Sequence, residues 1–192
     1  MLRRLYDWTM DQAGRPHAIW VMAGISFAES SFFPLPPDLI LVPMCLARRD
    51  RVFWYATVAT VSSVLGGFLG YAIGFYLYDS VGQWVIEHMV SASAYAGTKA
   101  MFDEYGFWAI VLKGLTPIPY KLVTILSGFM KFNLASFALA SLIARGIRFY
   151  AEAILLYFFG EEARAFIERR LMLVMSATAV LLVGVVIVIK LI

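Results

Sequence analysis

Seven ionisable residues sit where an apolar chain has least use for charge: Glu29 and Asp38, Lys113 and Lys121, and Arg145, Arg148 and Glu152. A charge near the middle of a bilayer costs roughly 2.5–3.5 kcal/mol on insertion scales, so it normally has a partner or a task. Arg145, Arg148 and Glu152 stand at i, i+3 and i+7, which puts them on one helical face. The arginines and lysines together exceed what Glu29 and Asp38 neutralise, and an oxyanion such as a phosphate group would complete the balance. Carboxylates in a low-dielectric setting also exchange protons readily, which gives Glu29, Asp38 and Glu152 a second use. The plainer alternative is a network of buried ion pairs that only holds the elements together.

Other chemistries find little support. Cys45 is the single cysteine, and neither His17 nor His88 stands in a metal-ligand motif, so no metal site is expected. There is no Gly-x-Ser-x-Gly elbow, no His-Glu-x-x-His pair, no phosphate-binding Walker loop and no histidine-centred phosphatase pattern. No catalytic residue and no cofactor is expected, and an enzyme is the weakest reading.

The elements that must position these charges follow from composition. Hydrophobic residues make up 61% of the 192 residues against 15% charged, an excess that lipid absorbs more simply than a water-soluble core. The net charge of +3 is small for a nucleic-acid binder. The apolar runs 52–78, 134–159 and 171–192 are each long enough to cross a hydrocarbon core of roughly 30 Å at about 1.5 Å per residue. Residues 19–47 and 107–130 differ, because each is apolar at both ends and broken in the middle. The first break reads Glu29-Ser-Ser-Phe-Phe-Pro34-Leu-Pro36-Pro37-Asp38, the second Lys113-Gly-Leu-Thr-Pro117-Ile-Pro119-Tyr-Lys121. Proline lacks the amide hydrogen and disfavours helix in the residue before it. Two half-helices that turn at the prolines and leave on the side they entered are the economical solution, and a kinked spanning helix is the competing one.

Order and spacing suggest a duplication. Aligning Pro34 with Pro117 also aligns Pro36 with Pro119, Asp38 with Lys121, and Arg48-Arg49-Asp50 with Lys131-Phe132-Asn133, and a long span follows each break. The predicted fold is therefore an all-α membrane protein. It is an inverted repeat of a re-entrant helical hairpin plus a transmembrane helix, with an extra C-terminal transmembrane helix. Residues 1–17 read as an interfacial helix retained on the chain, since the run Ala18–Ala28 ends in Glu29 instead of a cleavage site, and 79–104 as an external amphipathic segment. Arg3, Arg4 and Arg15, then Arg48, Arg49 and Arg51, and later Arg164, Arg169 and Arg170, place the N-terminus in the cytoplasm of a multi-pass inner-membrane protein. Gly66, Gly70 and Gly74, at spacings of four, predict a face on which another backbone packs closely.

Glu29 with Pro34-x-Pro36-x-Asp38, then Gly66-x-x-x-Gly70-Tyr71-x-x-Gly74, then basic residues flanking Pro117 and Pro119, resembles the DedA family of VTT-domain membrane proteins. The stretch Lys113 to Lys121 is similar to its YqaA-like branch. The resemblance spans about Ile19 to Phe159, and it implies two opposed re-entrant hairpins and lipid translocation. Members are associated with recycling of undecaprenyl phosphate or scrambling of phospholipids, often linked to the proton motive force. By this resemblance Glu29 and Asp38 match the hairpin acids, while Lys113 and Lys121 fall where two arginines are usual. Lysine offers phosphate a point charge without arginine's two-pronged fork. The expected function is a proton-linked flippase or scramblase for a lipid with an anionic phosphate headgroup. Lys113, Lys121, Arg145 and Arg148 would hold the headgroup, with Glu29, Asp38 and Glu152 responding to protons. Expected partners are anionic membrane lipids and protons, not nucleic acid, and a homo-oligomer is compatible with the reading. A non-transporting assembly factor with structural ion pairs is the alternative.

Overall fold

The structure, a computed structural model, describes residues 17–33, 35–78, 92–114 and 119–169. The predicted segments 1–17 (all but its last residue) and 171–192, and the turn residues Pro34 and Pro117, lie outside the described residues. Among the described residues the chain forms six α-helices and no strand: α1 Ala18–Glu29, α2 Asp38–Ala47, α3 Val52–Leu77, α4 Ala92–Gly114, α5 Tyr120–Phe129 and α6 Leu134–Arg169. A 3-10 turn, Arg49–Arg51, joins α2 to α3.

The short helices end where their backbone chemistry runs out. After α1, the amides of Ser31, Phe32 and Phe33 all donate to the Ala28 carbonyl, and Pro36 and Pro37 then have no amide to offer. Asp38 reopens the helix from its first turn, where a carboxylate suits the exposed amides. At the other end of the chain, α5 closes with Lys131 at φ 52, while Phe132 N donates to Ser127 O and Lys131 N to Gly128 O. That pair of bonds is a Schellman cap, with lysine in the left-handed position usually given to glycine. At about 1.5 Å per residue, the 12 residues of α1 and the 10 of α2 reach roughly 18 and 15 Å, about half a hydrocarbon core.

Contacts fix the relative directions. Ser26 Oγ donates to Ala59 O at 2.8 Å, Ser30 and Ser63 hydroxyls meet at 2.6 Å, and Ser31 Oγ donates to Gly66 O at 2.8 Å, so α1 runs parallel to α3. Ala18 and Met22, early in α1, share a core with Met44 and Cys45, late in α2, so α1 and α2 form a hairpin whose open ends lie together. Asp38 reaches Arg148, and Leu46 and Arg49 reach Gly160, so α2 runs parallel to α6. In the second half, Phe102 meets Phe132 and Gly114 meets Ala144, so α4 runs parallel to α6. Thr124 sits at Gly70 and Tyr78 against Phe129, so α5 runs parallel to α3. The two long helices are antiparallel: Phe53 meets Tyr157, Ser63 meets Arg145, and Phe68 meets Phe137.

Glycine permits the tightest of these approaches. A Cβ on Gly66 would fall closer than 3.0 Å to the Phe27 backbone, one on Gly74 to the Ile125 and Phe129 backbone, and one on Gly128 to the Tyr71 and Phe75 backbone. The outer surface is apolar, with Trp20, Trp54, Leu65, Trp108, Leu112, Leu142 and Phe158 all exposed, the reverse of a water-facing surface.

Among the described residues one helical stretch, Arg49–Leu77, is long and apolar enough by composition to cross a membrane. Helix α6 is longer, 36 residues, but carries Arg145, Arg148 and Glu152 in its middle, and it continues ten residues past the run predicted to end at 159. Helix α4 runs unbroken from Ala92 to Gly114, so the boundary expected near 104–107 is absent; no proline interrupts that stretch, and a lone Gly106 does not stop a helix.

Candidate functional site

The deepest charge is Arg145, with 2% of its surface exposed. Its Nε donates to Ser63 Oγ at 2.5 Å on α3, and its Nη2 donates to Glu29 Oε2 at 2.7 Å at the end of α1. The guanidinium carbon lies 4.7 Å from the Tyr120 ring centre, at the start of α5, and 4.9 Å from that of Phe149. One cation therefore ties four helices together, with its charge met by a carboxylate and its flat faces by aromatic rings. Hydroxyls surround it. Ser30 bridges Ser63, the Ser26 carbonyl and Glu29 Oε2, and Tyr120 donates to Ser141 Oγ at 2.6 Å. Thr124 Oγ1 donates to the Ser30 carbonyl at 3.0 Å, closing the ring between the two hairpins.

One turn further along α6, Arg148 Nη2 donates to Asp38 Oδ2 at 2.5 Å. These side chains are 31% and 30% exposed, against 2% and 14% for Arg145 and Glu29, so this pair is reached from outside and the other is not. Glu152 lies on the same face of α6, within electrostatic reach of both Asp38 and Arg148. Asp38 Oδ1 and Glu152 Oε1 are buried, and the two carboxyls lie close enough to share a proton between them, with no other described donor on these two oxygens.

Five of the seven charges singled out in the sequence thus converge: Glu29, Asp38, Arg145, Arg148 and Glu152. The lysines stand differently. Lys121 is half-buried on the first turn of α5 and joins no ion pair among the described residues; Lys113 is exposed on the last turn of α4. The hairpin acids Glu29 and Asp38 pair with α6 arginines and not with the lysines. The reason is packing: α2 lies along α6, whereas α5 lies along α3. Pro36, Pro37 and Pro119 lie between helices, with Pro37 preceding α2 and Pro119 preceding α5. Sequence reasoning missed the hydroxyl ring of Ser30, Ser63, Thr124, Tyr120 and Ser141. Its signal was present in hydroxyl residues interrupting runs that lipid-facing helices keep apolar.

Charge enclosed within a helical body whose outside is apolar defines a membrane-type protein with a polar centre. Residues 18–160 match the VTT domain, and the chain belongs to this VTT-domain (DedA) family, whose members are membrane-associated. It is 31% identical to an uncharacterized protein of Haemophilus influenzae over 179 residues, 93% of each chain. It is 32% identical to an uncharacterized protein of Histophilus somni over 145 residues, 76% of this chain and 75% of that one. No solved structure matches it.

Proposed function

We propose that this protein carries lipids with an anionic phosphate headgroup across the inner membrane, with α1–α2 and α4–α5 as oppositely inserted re-entrant hairpins. The observation that supports this most is the pattern of helix directions. Helix α1 lies along α3 as α4 lies along α6, α2 lies along α6 as α5 lies along α3, and the long helices cross antiparallel at Ser63 and Arg145. These directions are those that a twofold axis through that crossing, perpendicular to both helices, would produce, the arrangement expected of transporters whose site lies at the repeat interface. Lys121, Lys113, Arg145 and Arg148 supply positive potential there, and Glu29, Asp38 and Glu152 are the proton-responsive partners. The acyl or polyprenyl tail stays in the bilayer while the headgroup passes between hairpin tips. Positive loops put the N-terminus in the cytoplasm.

The alternative, a non-transporting membrane assembly factor, draws on one observation: both hairpin acids are already paired with arginines of α6. Reconstituted vesicles separate the two. Labelled phosphatidylglycerol and polyprenyl phosphate should cross faster than phosphatidylcholine, and Lys121→Ala should slow them about tenfold, the worth of one lost charge contact of ~1.4 kcal/mol. A folded protein that moves none of these lipids, with or without a pH gradient, overturns the transport reading.

A further inference from the structure

The two returning arms, α2 and α5, each run along a long helix but are held on it differently. Helix α5 is locked to α3 backbone to backbone. Gly74 of α3 and Gly128 of α5 each lie where a single Cβ would fall closer than 3.0 Å to the partner's backbone, and Gly70 is as close to the Thr124 side chain. At these glycines backbone meets backbone with no side chain to repack, so sliding α5 would forfeit the closest contacts. Helix α2 meets α6 through a shared apolar core, in which Leu41, Met44 and Cys45 lie with Phe149 and Ala153, and through polar contacts: Asp38 on Arg148, and the Arg49 guanidinium of the following 3-10 turn on the Tyr157 carbonyl. Pro43 inside α2 removes one of its own backbone bonds. The interface also brings two carboxyls together, Asp38 and Glu152, whose buried oxygens Oδ1 and Oε1 have no described donor other than each other.

The two arginines differ in the same direction. Arg145 has two donors committed, two aromatic rings against its guanidinium and 2% of its surface exposed, so no ligand reaches it without unpacking four helices. Arg148 is about a third exposed and gives one donor to one oxygen of Asp38. A guanidinium fork is matched better by two oxygens of one tetrahedral oxyanion than by a single carboxylate oxygen.

We infer that Arg148 is an exchangeable oxyanion site whose resident anion is Asp38, and that a phosphate group taking Asp38's place releases α2 from α6 while α5 stays fixed on α3. This rests on the transport reading and adds to it which hairpin arm moves, which arginine binds, and that Arg145 is a positioning residue instead of a ligand. Release takes Asp38 away from the arginine while Glu152, on α6 itself, stays beside it, so the arm opens only when an oxyanion is present to hold Arg148.

Spin-label distances in vesicles test this. In a Cys45→Ala background, one pair is Leu39→Cys on α2 with Ile147→Cys on α6, and the control pair is Leu126→Cys on α5 with Leu69→Cys on α3; all four positions are exposed. In phosphatidylcholine both pairs should show one distance. Added phosphatidylglycerol should create a second α2–α6 population lengthened by about 5 Å, on the order of one helical turn, and leave the control pair unchanged. Inorganic phosphate in phosphatidylcholine vesicles separates the two sources of the group. The same shift would support a site for the bare oxyanion; a shift with the lipid alone would support one that also needs the tail. Asp38→Asn should give the longer population without any anion. A control pair that moves while α2–α6 stays, or no shift in either anion arm, overturns the inference. The latter result with lipid still crossing removes the exchange site but spares the transport reading, and a full shift without crossing does the reverse.

Discussion

Glu29→Ala will destabilise the protein by ~3–5 kcal/mol, the usual cost of removing one partner from a buried ion pair. The expectation rests on Arg145, whose guanidinium lies 2% exposed between Tyr120 and Phe149 with Glu29 as its one carboxylate partner within salt-bridge distance. Removing the acid strands a full charge where water cannot follow. It also removes a contact of the Ser30 hydroxyl, so the α1 end loosens from α3 and α5 together. A chain of this size should lose roughly 6–20 °C of thermal midpoint, read by heating the detergent-solubilised protein before size exclusion. Replacing both partners, Glu29→Ala with Arg145→Met, should restore at least half of that loss, because an apolar substitute removes the stranded charge. A single variant as stable as the double one would mean that Arg145 is hydrated in the folded protein.

The second large effect belongs to the glycine seam. Gly74→Val or Gly128→Val should cost ~3 kcal/mol or more, at or above the upper end of overpacking penalties, because the clashing atoms are backbone and not movable side-chain ends. Gly24→Ala and Gly146→Ala are the internal controls. A Cβ at either position meets nothing within 4 Å, and both lie inside helices. Removing a helix-interior glycine there should stabilise by ~0.5–1 kcal/mol. Equal losses at all four positions would show that helix flexibility, not close approach, is what these glycines supply.

Much of this architecture is written in local sequence. The proline clusters mark where α1 must stop and α2 start, because the chain cannot supply amides there. The Gly66, Gly70 and Gly74 spacing marks the face that backbone approaches, and Gly70 and Gly74 receive α5 while Gly66 receives α1. The i, i+3, i+7 arrangement of Arg145, Arg148 and Glu152 places three charges on one face of α6. Which acid meets which base was not legible. Pairing depends on α2 lying along α6 and α5 along α3, a tertiary choice that leaves no mark on residues close in sequence. The same limit hid the partnership of Ser63 with Arg145, separated by 82 positions. It hid too the continuity of α4, since an amphipathic stretch followed by an apolar one has no residue at 104–107 that must end a helix.

The claim on which the rest depends is that the α1–α2 hairpin turns at mid-bilayer instead of in water. A nitroxide at Phe32→Cys, in the Cys45→Ala background, reports this through its collisions with oxygen, concentrated at the bilayer centre, and with a water-soluble nickel chelate. Phe32 is exposed at the end of α1, Leu65 is exposed near the middle of α3, and Asp50 lies in the 3-10 turn where the hairpin's open end meets α3. Oxygen contact at Phe32 as high as at Leu65, with nickel contact far below that at Asp50, is the expected result. Nickel contact at Phe32 equal to that at Asp50 would contradict it.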